Sequence, residues 1–322
     1  NGPIQIRRLR SVTSNDQEMT EARAAYYKKL GADTEEDHFK KDFYKNALHT
    51  LEGDIRKDTS VRDDAWYNEP VTQEEIAKAR KCLVNGKSPG LDGVFPEILK
   101  YGKEETDWYL RPLFQYCLDN RVIPDKWKTS KIVSLFKDGD RRDPGNYRGI
   151  ALQSYKRKLF TTLLNNRITK HLETEGKELL STAQNGFRST GNRSCQDHLY
   201  TLTETLKNRR AEGEKTYGFY MDLSKAFDMA NHKLLEVKLR KKGVKGKVLN
   251  AIKTLNGDMR AVASANGKTS CEFKIERGTA QGARSARPCS TSISTISSIN
   301  SITASLGSST PPSWPTRTTF LL

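Results

Sequence analysis

The string that carries the most chemistry is Phe219-Tyr-Met-Asp-Leu-Ser-Lys-Ala-Phe-Asp228, followed shortly by His232. The aromatic-rich run from Thr216 to Leu223 reads as a strand and helical spacing resumes near Ser224, so Asp222 stands at a strand end beside a tight turn. A carboxylate there is placed to hold a hard divalent cation through oxygen ligands. The same place also suits a turn or capping Asp, and both readings apply to Asp228. Other catalytic patterns are missing. The five histidines (His38, His49, His171, His198 and His232) show no HExxH or paired ligand spacing, and there is no GxxxxGK[ST] loop and no GxSxG elbow. Cys195, near Arg193, could be a slightly activated thiol or an ordinary cysteine.

The elements that must position these residues are set in a strongly basic chain of 322 residues. Lys plus Arg number 55 against 39 Asp plus Glu, a net charge of +16, which points to a polyanionic partner and first of all to nucleic acid. No stretch approaches about 18 uninterrupted apolar residues, so no transmembrane helix and no membrane partner is expected. The five scattered cysteines lack CxxC spacing, which fits a reducing intracellular compartment rather than a disulfide or zinc framework. The opening Asn1-Gly-Pro-Ile has neither an initiator Met nor a signal peptide and reads as the start of a fragment. Residues 1–84 read as a helical lead-in or linker with aromatic pairs at Tyr26-Tyr27 and Phe43-Tyr44. Within it Thr72 and Glu75 form a capping box ahead of Ile76, Ala79 and Leu83, with Gly86 as the stop. Lys131 to Lys137 is a predicted strand, followed by a basic turn and a return at Asn146-Tyr-Arg-Gly149. Leu159, Leu163, Ile168 and Leu172 mark one amphipathic helix, and Leu199, Leu202 and Leu206 a second. Asn266-Gly267 between two apolar runs predicts a hairpin.

These strings, taken in order, closely resemble the reverse transcriptases of non-LTR (LINE-like) retrotransposons over about residues 40–282. The matching segments are NGKSPGLDG (Asn85 to Gly93), Trp127-Lys128, KIVSLFKDGD, NYRGIAL, AQNGFRSTGNRS (Ala183 to Ser194), FYMDLSKAFD and GTAQG (Gly278 to Gly282). The resemblance implies an α+β right-hand polymerase, with fingers and a partial palm over residues 85–282 and an antiparallel palm sheet carrying Asp222. It implies an RNA-directed DNA polymerase extending a DNA primer or target 3' end on an RNA template, from dNTPs, with two Mg2+ ions. Asp222 is then the catalytic, metal-binding carboxylate, and Leu223 a metal ligand through its carbonyl. Lys137 and Arg148 hold the triphosphate, Phe227 is the steric gate against ribonucleotides, and Gln281 and Gly282 cradle the nucleotide. Gly186, Phe187 and Arg188 line the template path. An Arg fork and a Lys point charge suit phosphate oxygens, although two solvated loop cations would look the same in sequence. Basic loops around Arg141, Arg142, Lys156 and Lys158 would track the nucleic-acid backbone. The parent element would work in the nucleus or in a cytoplasmic ribonucleoprotein.

One departure stands out. The family carries a second palm motif ending in Asp-Asp, and no such pair follows Ala283. Residues 283–322 hold about 18 Ser or Thr, three Arg, and no Asp, Glu or Lys, and read as a disordered tail. A single-base deletion after the codon for Gly282 is the expected cause of the Ser/Thr bias and the lost motif together, and the same offset permits an Asp pair beneath Thr318 and Thr319. One carboxylate cannot hold two ions about 3.5 to 4 Å apart, so the chain as written is expected to be inactive. The alternative is a non-catalytic nucleic-acid-binding remnant or an untranslated pseudogene product.

Overall fold

Thr72 and Glu75 close the capping box read from the sequence: the Thr72 hydroxyl accepts from the Glu75 N–H (3.2 Å) and the Glu75 carboxylate from the Thr72 N–H (3.1 Å). In the computed structural model, which describes residues 16–32, 45–46, 48–49, 53, 65–141, 143–173, 180, 195–217, 228 and 230–278, the helices in chain order begin with α1 (Asp16–Gly31) and α2 (Gln73–Lys81). Next come α3 (Pro96–Tyr101), α4 (Lys103–Asn120), the single turn α5 (Asp125–Lys128) and α6 (Tyr155–Leu172). The last three are α7 (Cys195–Ala211), α8 (His232–Lys241) and α9 (Gly246–Gly257). Helix α2 stops at Lys81, short of Gly86, because Cys82 and Leu83 turn their N–H groups back onto Ala79 and Arg80. Gly86, at φ +69°, instead belongs to the next loop and donates its N–H to the Glu97 carboxylate.

The expected boundary at residues 84 and 85 crosses a continuous core. Tyr67, Val71, Ile76 and Ala79 pack in one apolar cluster with Leu110 and Phe114 of α4, Leu163 and Ile168 of α6, and Leu249 of α9. Phe114, Trp127 and Phe160 meet at ring separations of 5.2 to 6.0 Å in its middle. Arg167 of α6 ties the lead-in to this core, with all five of its N–H donors placed. They go to both Glu75 oxygens (2.7 and 2.6 Å) and to the carbonyls of Tyr67, Glu69 and Pro70 (3.0, 2.7 and 3.0 Å).

Strands β1 (Thr129–Phe136) and β2 (Tyr147–Leu152) form the predicted antiparallel hairpin. Strands β3 (Met259–Ala265), β4 (Lys268–Thr269) and β5 (Phe273–Ile275) complete one sheet in the order β2-β1-β3-β4, with β5 also paired to β3. Asn266 and Gly267 both take positive φ (48° and 79°), the backbone a tight two-residue hairpin requires. This sheet is mixed, because β1 and β3 run parallel. The expected antiparallel palm strand bearing Asp222 lies outside the described residues, as does the tail from residue 283. The structure is thus a mixed α+β one, with helices packed around a sheet.

Helix α1 lies across one face of the sheet, where Ala24 and Tyr27 join Ile132, Ala261, Ala263 and Phe273 in a second apolar cluster. Both predicted amphipathic helices form, but they end differently. Leu159, Leu163, Ile168 and Leu172 are buried, whereas Leu199 and Leu206 remain exposed.

Candidate nucleotide and nucleic-acid interface

The hairpin of β1 and β2 has one covered face and one open one. Register pairs Ser134 with Gly149 and Leu135 with Arg148, so the alternation of a strand sends each pair to opposite sides. On the covered side the Tyr27 hydroxyl meets the Ser134 hydroxyl at 2.9 Å, and a Cβ on residue 149 would stand 2.8 Å from the Tyr27 ring. Only glycine lets α1 approach that closely, and burial raises the Tyr27 hydroxyl above its ordinary pKa.

The open side carries Val133, Leu135 and Arg148, all exposed. The ladder continues one step beyond β1, where the Lys137 N–H donates to the Asn146 carbonyl (2.9 Å). Lys137 therefore shares the open side with Arg148 as its diagonal cross-strand neighbour, within reach of one ligand. The turn is held by local bonds: the Asp143 carboxylate accepts from the Gly145 N–H (2.8 Å) and the Asn146 amide donates to the Asp140 carbonyl (3.0 Å). Arg141 stacks on Phe136 and Arg23 on Tyr147, and these two rings meet edge to face. Two adjacent cations thus stand free of the covering helix on a braced platform. That arrangement suits a multiply charged phosphate ligand.

The loop from Asn85 to Gly93 docks against the end of this hairpin. Gly90 packs so tightly on the Gln153–Ser154 backbone that a Cβ would lie 2.6 Å from it, and the Ser154 hydroxyl donates to the Asp92 carboxylate at 2.6 Å. Lys156 and Lys158, expected in a basic loop, lie instead on the first turn of α6, over the rings of Tyr109 and Tyr155. Burial lowers the Lys158 pKa. Of the expected backbone-tracking residues, Arg141 is exposed at the hairpin turn and Arg142 lies outside the described residues.

Asp222, Leu223, Phe227, Gly186, Phe187, Arg188, Gln281 and Gly282 also lie outside the described residues, but the chain flanking two of their strings does not. Asn231 caps α8, accepting from the N–H groups of Lys233 and Leu234, and bridges to Arg277. His232 meets the Gly278 carbonyl at 2.7 Å. From sequence alone His232 carries no role and residues 16–31 belong to the lead-in; the aromatic pair Tyr26-Tyr27 is the one signal that this helix packs.

Among the described residues no group of three or more His, Cys, Asp or Glu side chains is placed to hold a metal ion. The metal donors expected from the family resemblance are Asp222 and the Leu223 carbonyl, both outside the described residues, and residues 279–322 hold no Asp or Glu. That donor set does not fit a pair of Mg2+ ions. Among the described residues no helix is long and apolar enough to cross a membrane.

A family model described as reverse transcriptase (RNA-dependent DNA polymerase) matches residues 136–304, a stretch that begins in the hairpin and runs past Gly282. The chain is similar to the probable RNA-directed DNA polymerase from transposon BS of Drosophila melanogaster, 29% identical over 199 residues, or 62% of this chain and 21% of that protein. It is 26% identical over 218 residues to the Pol polyprotein from type-1 retrotransposable element R2 of Popillia japonica, covering 66% of this chain and 28% of that one. With the RNA-directed DNA polymerase from mobile element jockey of Drosophila melanogaster it shares 26% identity over 165 residues, 50% of this chain and 17% of the relative. The matched stretch thus spans between 17% and 28% of the length of these relatives.

Proposed function

Because the chain belongs to the reverse transcriptase family, we propose that it is the fingers and partial palm of a non-LTR retrotransposon's RNA-directed DNA polymerase, with residues 1–84 leading in and 283–322 a frameshifted tail. The observation that carries this reading is the pair Lys137 and Arg148, side by side on the open face of a hairpin whose other face is closed by α1. The guanidinium gives two parallel N–H bonds to phosphate oxygens and the ammonium a movable point charge, so together they grip a triphosphate at adjacent oxygens. In this reading Phe227 gates against ribonucleotides and Gln281 and Gly282 cradle the nucleotide, while Gly186, Phe187 and Arg188 line the path of the RNA template. In the parent element, at work in the nucleus or a cytoplasmic ribonucleoprotein, Asp222 and Leu223 contribute to holding Mg2+ and a DNA 3' end is extended.

The absence of any Asp or Glu from residues 279–322, where the family's second palm carboxylate is expected, favours binding without transfer, the remnant reading. The test is a dNTP titration of the full chain with an RNA template and a chain-terminated DNA primer. Lys137→Ala and Arg148→Ala should each weaken dNTP binding by about tenfold or more, the cost of one charge-assisted phosphate contact. Unchanged affinity in both variants would sink the hairpin assignment. With an extendable primer no product is expected, and extension abolished by Asp222→Ala would overturn the remnant reading.

A further inference from the structure

Helix α1 grips the β1–β2 hairpin on the two residues that flank Arg148. One turn apart on the helix, the Arg23 guanidinium lies over the Tyr147 ring, 4.5 Å from its centroid, and the Tyr27 ring packs on Gly149, where a Cβ would stand 2.8 Å from Tyr27 Cε1. Alternation along β2 puts Tyr147 and Gly149 on the covered side and turns Arg148 to the open one. On the neighbouring strand the Tyr27 and Ser134 hydroxyls meet at 2.9 Å, and Ser134 is the register partner of Gly149. The helix that makes this grip is anchored elsewhere in the sheet. Near its start the Asp16 carboxylate accepts from the Asn266 amide at 2.8 Å, and the Glu21 carboxylate accepts from the Cys271 N–H at 3.3 Å. At its end the Gly31 carbonyl accepts from the N–H groups of Glu276 and Arg277 (2.8 and 3.2 Å), and the Leu30 carbonyl accepts from Arg277 Nε at 3.0 Å. Both ends of α1 are thus tied to the chain around β3, β4 and β5, while its middle reaches across to the hairpin.

We propose that Tyr27 is a positioning residue for a deoxynucleoside triphosphate: its hydroxyl on Ser134 and its ring on Gly149 fix the strand backbone at Arg148, so that Arg148 and Lys137 meet phosphate oxygens together. This rests on the polymerase reading above, in which Lys137 and Arg148 hold the triphosphate. Both side chains are exposed, and a planar guanidinium must be correctly aimed to give two parallel bonds to phosphate. Holding the backbone on both neighbours of Arg148 leaves only its side-chain rotamers to be ordered when the ligand binds, which is preorganisation. Tyr27 lies on the opposite face of the hairpin from the phosphates, so it acts through Arg148 without touching the ligand. Helix α1 lies outside the stretch that matches the reverse transcriptase family, and none of its residues belongs to a string that resembles a polymerase motif.

The experiment uses the full chain with RNA template and chain-terminated primer. Tyr27→Phe keeps the ring and removes the hydroxyl, and Ser134→Ala removes the same bond from the other side. Each should weaken dNTP binding roughly three- to tenfold, the worth of one lost hydrogen bond, and the double variant should be no weaker than either single one. Affinity for the template-primer duplex should stay unchanged. The discriminating readout is a second cycle: in an Arg148→Ala background Tyr27→Phe should change dNTP affinity by less than about twofold, since the group it aims is gone. Parental dNTP affinity in Tyr27→Phe, while Arg148→Ala weakens it, would overturn the positioning role and leave the polymerase reading standing. The same loss from Tyr27→Phe with and without Arg148, or an equal loss of duplex binding, would mark Tyr27 as merely structural and overturn the role too. If the parent chain binds no dNTP, or if Lys137→Ala and Arg148→Ala both leave its affinity unchanged, the hairpin reading fails and the positioning role falls with it.

Discussion

Helices α6 and α7 carry similar leucine spacing and have opposite surroundings. In α6, Phe160 and Leu164 widen the stripe of Leu159, Leu163, Ile168 and Leu172 into an arc broad enough to be enclosed by α2, α4 and α9. In α7 only Leu199, Leu202 and Leu206 recur, and Leu199 is 61% and Leu206 42% exposed. Along it the hydroxyls of Thr201, Thr203 and Thr205 each donate to the carbonyl four residues back, and Lys207 pairs with Glu204. A period of 3.6 therefore specifies a helix in both cases. Burial depends on the width of the apolar arc and on partners far away in sequence.

Damage to α6 should therefore be global and damage to α7 local. The largest effect is expected from Arg167→Ala, which removes a buried guanidinium and strips three carbonyls and Glu75 of their donors. A loss of about 4 kcal/mol in urea-induced unfolding is expected, and a loss under about 1 kcal/mol would mean the lead-in is not clamped to the core. Leu163→Ala should follow at about 3 kcal/mol through the cavity it leaves. Cys117 reports on the same cluster, because it is buried and its thiol is pushed up to about 11 by burial. At pH 8 it should resist alkylation while the exposed Cys271 reacts, and Leu163→Ala should speed the labelling of Cys117 by about a hundredfold if labelling requires global opening.

The same contrast explains what could be read from the sequence. The capping box at Thr72, the strand ending near Lys137 and the Asn266-Gly267 turn are short-range chemistry, and each is found where the residues place it. The second task of Glu75, receiving Arg167 from 92 residues away, was hidden because the local pattern already accounted for its carboxylate. The parallel pairing of β1 with β3 was equally hidden, since its register is set by packing against α1 rather than by any turn. Lys137 and Arg148 were identified from strings that resemble a family, and simple alternation along two paired strands then accounts for their common face. The bond from His232 to the Gly278 carbonyl leaves only a faint trace in the sequence, a glycine and a histidine with no pattern between them. A carbonyl that blocks a Cβ leaves no mark on composition or period.

The smallest effect is the sharpest test of the comparison. Leu206→Ala on α7 removes a side chain that is 42% exposed and replaces it with the best helix former, so the lost apolar contact and the gained propensity nearly cancel. Stability should stay within about 0.5 kcal/mol of the parent in urea, and Cys117 labelling should not change. A loss above about 2 kcal/mol would show that α7 is enclosed as α6 is, and the two helices would then differ in their partners rather than in the width of their apolar arcs.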